Sequence, residues 1–308
     1  MRKNNLAHAF VVAVLFVAGI TTLISPLHAD TFGTGANQFT IDFTTIGNPG
    51  NAADTTGYGS VGYTYRIGTY SISQNQIDAA TASGLANVTA GAWSGDQPAA
   101  NMTWYEAAAF VNWLNTSKGY QAAYNLSYTE GAWSMSLWNS FDPGYNSYNQ
   151  YRNANAYYFL PSEDEWYKAA YGKNDGSGYY LYSTASDIEP PSTPYNGSQY
   201  YPVSVYAAGG LSSYGTMGQG GNIWQWNESA WDGVNDSATE ARGFDGGGPD
   251  IAHLVLQSSD GYFNYPGFEN EIFGFRVASV PEPSTYALIG IGVVALLIVS
   301  RKKAAKIS

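Results

Sequence analysis

Four side chains in the stretch GGNIWQWNES, residues 220–229, could do chemistry: the amides of Asn222, Gln225 and Asn227 and the carboxylate of Glu228. Such oxygen-bearing groups suit either a hard cation, which needs six to eight oxygens, or a hydrogen-bonded interior. The rest of the inventory excludes more than it offers. The chain has no cysteine, which removes thiolate chemistry and disulfides together. Of its three histidines, His8 and His28 precede the expected cleavage point, leaving His253. One imidazole cannot supply a histidine metal cluster, and no Gly-x-Ser-x-Gly stretch offers it a serine partner. No lysine follows a glycine run in the way a phosphate cradle requires. Glu163, Asp164 and Glu165 are consecutive acids, but they stand at a helix start and read as capping residues.

Two helices must position these groups. Thr103 and Glu106 form a capping box, followed by an apolar face of Ala107, Ala108, Phe110, Val111 and Leu114 that ends near Asn115. Ser162 and Glu165 form a second box, with Trp166, Ala169 and Ala170 as its buried stripe. Short strands are expected over residues 63–67, 70–73, 157–160, 222–226 and 273–278, joined by long Gly- and Asn-rich loops. Few helices among many short strands mean an α+β class. Trp104, Trp113, Trp166, Trp224 and Trp226 are expected in the core, because large rings are mostly buried. Trp138, Tyr145, Tyr148 and Tyr151, in an irregular loop, are the candidate ligand-binding rings, since ring faces interleaved with amides also describe a sugar-binding surface.

Both ends read as addresses. Arg2 and Lys3 precede an apolar run over residues 9–20, and the stretch closes at Ala29; residues 1–29 are a secretory signal peptide cut after Ala29. The other end, residues 280–308, sets Pro281, Glu282 and Pro283 before an apolar stretch over 286–299, then Arg301, Lys302, Lys303 and Lys306. That stretch is shorter than the roughly 20 residues of a full span, and the basic cluster would hold its far side in the cytoplasm. Between these segments lies one domain, residues 30–279. The chain has 13 basic and 24 acidic residues; without Arg2, Lys3, Arg301, Lys302, Lys303, Lys306 and Glu282, the remainder is 7 against 23. So acidic a domain repels phosphate backbones, which excludes nucleic acid, and it meets a membrane only through its terminal segments.

The Pro-Glu-Pro triplet, short apolar helix and basic cluster together resemble the PEP-CTERM sorting tail. That resemblance implies an exosortase-type protease and the secretion machinery as partners, with Pro281, Glu282 and Pro283 as the processing site. It implies delivery to the envelope, surface or extracellular matrix of a Gram-negative-type bacterium, anchored by the C-terminal helix for a time or for good. Four stretches, at residues 102–115, 159–172, 214–229 and 272–279, resemble the sulfatase-modifying-factor family, with its formylglycine-generating-enzyme-like fold related to C-type lectins. Residues 48–73 look like the opening segment of its exported members.

The family's oxidases use a cysteine pair and copper, and a related branch uses a histidine iron site; this chain has the residues for neither. Its Arg242-Gly243-Phe244-Asp245-Gly246-Gly247 keeps only the beginning of the family's Arg-Gly-Gly-Ser-Trp segment, which makes Arg242 and Asp245 candidates at an altered groove, with Asp250 nearby. Calcium is the one cofactor the resemblance suggests, with Gly221 and Asn222 as ligands, although Gln225 stands where the family usually has Glu and Gly218 where exported members often have Asp. The expected function is non-catalytic binding or scaffolding, with exopolysaccharide as the candidate ligand. The alternative is an enzyme of unknown reaction on the same fold.

Overall fold

A computed structural model describes residues 28–190, 201–249 and 256–281. In chain order the elements are β1 (His28–Phe32), β2 (Phe39–Ile46), β3 (Tyr65–Gly68), α1 (Gln74–Ala82), α2 (Trp104–Ser117), β4 (Asn125–Thr129), β5 (Ala132–Ser136), β6 (Tyr158–Phe159), α3 (Glu163–Tyr171), β7 (Trp224–Ala230), β8 (Arg242–Asp245), β9 (Tyr262–Asn264), β10 (Phe273–Phe275) and β11 (Ala278–Ser279). One sheet runs β1-β2-β3-β11-β6, a second runs β10-β7-β8-β9, and β4 and β5 form a separate hairpin. The architecture is α+β, as the spacing of signals implies.

All three helices start at a capping box. Two are the boxes expected at Thr103 and Ser162. The third, Ser73 with Gln76, converts the expected strand over 70–73 into the lead-in to α1, where Ser73 makes only an isolated bridge to Pro98. The expected strand over 222–226 begins two residues later, because Asn222 sits at φ 67°, a left-handed conformation that a ladder does not accept. The expected strand over 273–278 divides between the two sheets, with β10 parallel to β7 and β11 between β3 and β6. Arg276 lies at the division. Its buried guanidinium donates to Gln225 Oε1 (2.6 Å) and to the carbonyls of Gly68, Thr69 and Met217. The β4–β5 hairpin, which patterning leaves as loop, turns on Glu130 and Gly131, both at positive φ, the geometry of a two-residue turn between right-twisting strands.

Trp104, Trp166, Trp224 and Trp226 are buried as expected, while Trp113 is half-buried and stacks on Phe39. The core is aromatic in consequence: Trp226 and Trp224 meet Phe244 edge-on at 5.5 and 5.2 Å, and Phe273 closes the cluster. Such ring pairs add about 0.5–1.5 kcal/mol each beyond their buried area, which offsets the scarcity of Leu and Ile.

One ion network ties this core to the long loop before β6. Arg152 bridges Glu165 on α3 (2.9 Å) and Glu228 on β7 (2.8 Å), and both acids are fully buried. Glu165 also accepts from Ser162 N and Tyr63 OH, and Glu228 from Tyr124 OH and Asn149. Burial works against the Glu165 anion, yet the Arg152 charge and these donors hold its carboxyl below the usual range. Its stability contribution is therefore present above its unfolded pKa and lost as pH falls through the lower folded value. Arg152→Met should cost about 3–5 kcal/mol at neutral pH by stranding both acids. Urea denaturation from pH 7 down to pH 3 should show that deficit shrinking in acid.

Candidate functional site

The strand β8 sorts the candidate residues by its period of two. Arg242 and Phe244 point into the core, and Gly243 and Asp245 point toward α3. Arg242 is fully buried between the rings of Trp104 (4.9 Å) and Tyr151 (3.9 Å), and its guanidinium donates to the carbonyls of Glu240 and Ala238. Burial lowers its pKa. The two residues that the sequence offers as one groove therefore part company, Arg242 to the interior and Asp245 to a cleft.

That cleft, about 450 Å³, is lined by Tyr58, by Glu163 and Asp164 from the first turn of α3, by residues 229–233 after β7, and by Gly243, Ser259, Gly261 and Tyr262. Asp245 lies beneath its wall: a Cβ on Gly261 would stand 3.3 Å from Asp245 Oδ1. Asn227, on the α3-facing side of β7, donates from Nδ2 to both Asp245 Oδ2 (2.8 Å) and Glu163 Oε2. Gly243 is required beside it, since a Cβ there would come within 2.5 Å of that amide. Serving one amide nitrogen brings the two carboxyls together. Burial, then the Asp245 charge and hydrogen bond, hold the Glu163 carboxyl well above its usual range. Burial likewise pushes Asp245 up to about 7, with hydrogen bonds from Asn227 and Glu163 pulling the other way. The shared amide sets the two carboxyls side by side, where ionising both at once is costly.

The rim is aromatic. Trp231 is 54% exposed and rests on Phe263, with ring centres 3.7 Å apart; Tyr58 and Tyr262 are each about two-fifths exposed. Tyr262 packs its inner edge on Trp224. Asp164 is spoken for in part, accepting from Gly59 N at 2.7 Å, and Asp232 caps its own turn by accepting from Val234 N.

The rings expected to bind ligand are scattered. Tyr151 is buried, its hydroxyl donating to Ser237 O, so it offers no surface. Trp138 is half-buried with Nε1 bonded to Ala123 O, and Tyr145 is half-buried. Tyr148 alone of the four stands out from the surface, 94% exposed.

The oxygens proposed for calcium are engaged within the protein. Asn222 pairs with Val203, accepting from its N–H (2.8 Å) and donating to its carbonyl, and Gly221 O accepts from Ile223 N. Gln225 accepts from Trp166 Nε1 and Arg276 and donates to Gly218 O. Sequence reasoning missed Glu163 and Trp231 as cleft residues. The capping role masked the first; the exposure of the second has no sequence signal. Ala29 is exposed at the start of β1 and Pro281 is exposed after β11; Glu282, Pro283, Asp250 and His253 lie outside the described residues.

Residues 32–280 match the sulfatase-modifying factor enzyme 1-like domain, and residues 279–303 match the PEP-CTERM protein-sorting motif. Among solved structures the chain is similar to Treponema denticola variable protein 1, at 19% identity and a TM-score of 0.60, covering 82% of this chain and 99% of that one. It is also similar to the crystal structure of CarF, at 21% identity and a TM-score of 0.57, covering 79% of this chain and 99% of that one. These likenesses establish a formylglycine-generating-enzyme-like, C-type-lectin-like fold. No curated protein matches the chain. Among the described residues no helix is long and apolar enough to cross a membrane, and the expected C-terminal segment lies outside them.

The carboxyl pair carries a pH signature. A carboxyl whose folded pKa is raised contributes stability that is full below its unfolded value and lost as pH rises through the folded one. Stability should therefore decline between pH 4 and 7 by way of Asp245, and Asp245→Asn should flatten that slope in urea titrations.

Proposed function

Because the chain belongs to the sulfatase-modifying factor enzyme 1-like domain family, with a PEP-CTERM sorting motif behind that domain, we propose that it is an exported surface or matrix protein whose domain binds polysaccharide in the cleft beside α3. The motif implies exosortase-mediated sorting, which suits a protein that works outside the cytoplasm. The family's cysteine oxidase chemistry has no residue to run on, as the chain lacks cysteine. What carries the binding reading is the cleft itself, with three exposed ring faces, from Tyr58, Trp231 and Tyr262, set around Ser229 and the carboxyls of Glu163, Asp164 and Asp232. Ring faces stack on sugar C–H surfaces, and carboxyl and hydroxyl oxygens take sugar hydroxyls.

An enzymatic reading draws on the Glu163 carboxyl, whose raised pKa suits a general acid. Glycosidase carboxyls, however, stand about 5 Å or more apart to admit a nucleophilic step or a water, whereas Glu163 and Asp245 both accept from the one Asn227 amide nitrogen. That closeness favours binding. Trp231→Ala should weaken retention on immobilised matrix polysaccharide at least tenfold, with Tyr148→Ala unchanged. Equal retention of wild type and Trp231→Ala would remove the cleft from the function. Sugar release from the polysaccharide by wild type, absent in Glu163→Gln, would favour the enzyme.

A further inference from the structure

The cleft's chemistry is lopsided in a way that a neutral sugar does not require. Glu163, Asp164 and Asp232 line it and Asp245 lies beneath, while no lysine, arginine or histidine among the described residues lines it. Asp245 is only 3% exposed, and its Oδ1, the oxygen toward Gly261 and the cleft, accepts from no backbone or amide N–H among the described residues. Two other buried acids, Glu165 and Glu228, are answered by the cation of Arg152. Here Asn227 supplies an amide, and no cation among the described residues pairs with Asp245. Among the described residues no three acids or imidazoles converge on one point as a metal shell would need, but an organic cation asks for less. One carboxylate and one ring face suffice for an ammonium group, the ring adding about 0.5–2 kcal/mol.

We propose that the cleft takes a polysaccharide bearing free amines, its hexosamine ring stacked on Trp231 and its ammonium group set against the carboxyls of Glu163 and Asp245. The inference rests on the polysaccharide reading above and names its substrate class. An ammonium group against Glu163, with Asp245 beneath, makes the proton held by the pair redundant, so binding releases it to solvent. Among the described residues the groups that face the pair are Asp164 and Tyr171 from α3 and Tyr58 from the opening loop. None of them is a cation that could compete. Affinity therefore climbs above pH 5 as the pair gives up its proton more readily, and falls again as the ligand amines, no more basic than an α-amino group of pKa about 8, lose theirs.

The test is calorimetry on the full-length protein with three oligosaccharides of equal length: a glucosamine oligomer, its N-acetylated form and a neutral glucan. At pH 6.5, in two buffers of different protonation heat, the glucosamine oligomer should bind at least tenfold more tightly than the acetylated one and release protons that the acetylated one does not. Asp245→Asn should abolish that release, and Glu163→Gln should abolish it too, with thermal melts confirming that each variant is folded. Equal affinity for all three oligomers, still lost in Trp231→Ala, overturns the amine specificity and leaves the polysaccharide reading standing. Amine-dependent binding that ignores Trp231→Ala, Glu163→Gln and Asp245→Asn alike overturns the proposal in favour of diffuse attraction to an acidic surface. Failure of every oligomer to bind overturns both.

Discussion

Arg152 joins three parts of the domain through a single side chain. The side chain leaves an irregular loop and reaches two acids on separate elements, one on the first turn of α3 and one in the middle of β7. Each acid is used again: Glu165 completes the cap of α3, and Glu228 accepts from Tyr124 OH, which in turn accepts from Leu160 N at the end of β6. Three charges buried this deeply are tolerable only as a set, since the desolvation of each is offset by the others and by the surrounding donors. The relative placement of α3 and β7 follows, and with it the cleft. Glu163 and Asp164 flank the cap on α3, and Asn227 is the neighbour of Glu228 on β7.

The same arrangement separates two kinds of buried acid a few residues apart. Glu165 is met by a guanidinium, which lowers its pKa; Glu163 is met by another acid and an amide, and its pKa is raised. Both sit in the first turn of one helix, where the helix dipole favours negative charge. Partner identity, and not the local element, decides the direction of the shift.

How far the sequence carried the reading follows from which interactions are local. The capping boxes at Thr103 and Ser162 were legible because both partners lie within four residues, and Ser73 with Gln76 carried the same signal with a weaker acceptor. The division of residues 273–279 between two sheets was not legible, since it depends on Arg276 finding acceptors at Gly68, Thr69, Met217 and Gln225. The buried tryptophans followed from ring size alone. The candidate site was half legible: Asp245 stands out in an altered segment, but its pairing with Glu163 depends on Asn227, which lies 18 residues from the one and 64 from the other. The tyrosine-rich loop misled because its composition describes a sugar platform and a folded strut equally well, and Tyr151 turned inward against Arg242.

The division at Arg276 has a mechanical side. The chain reaches Pro281 directly from β11, an inner strand of the five-stranded sheet held on one edge by β3 and on the other by β6. Tension drawn through the sorting segment thus enters the sheet along a strand whose bonds on both sides must shear together. Behind it, within three residues, stands β10 with its own lateral grip on β7. A pull on the tail is therefore met first by the ladders on both edges of β11, and only then by β10 and the second sheet, which carries the cleft.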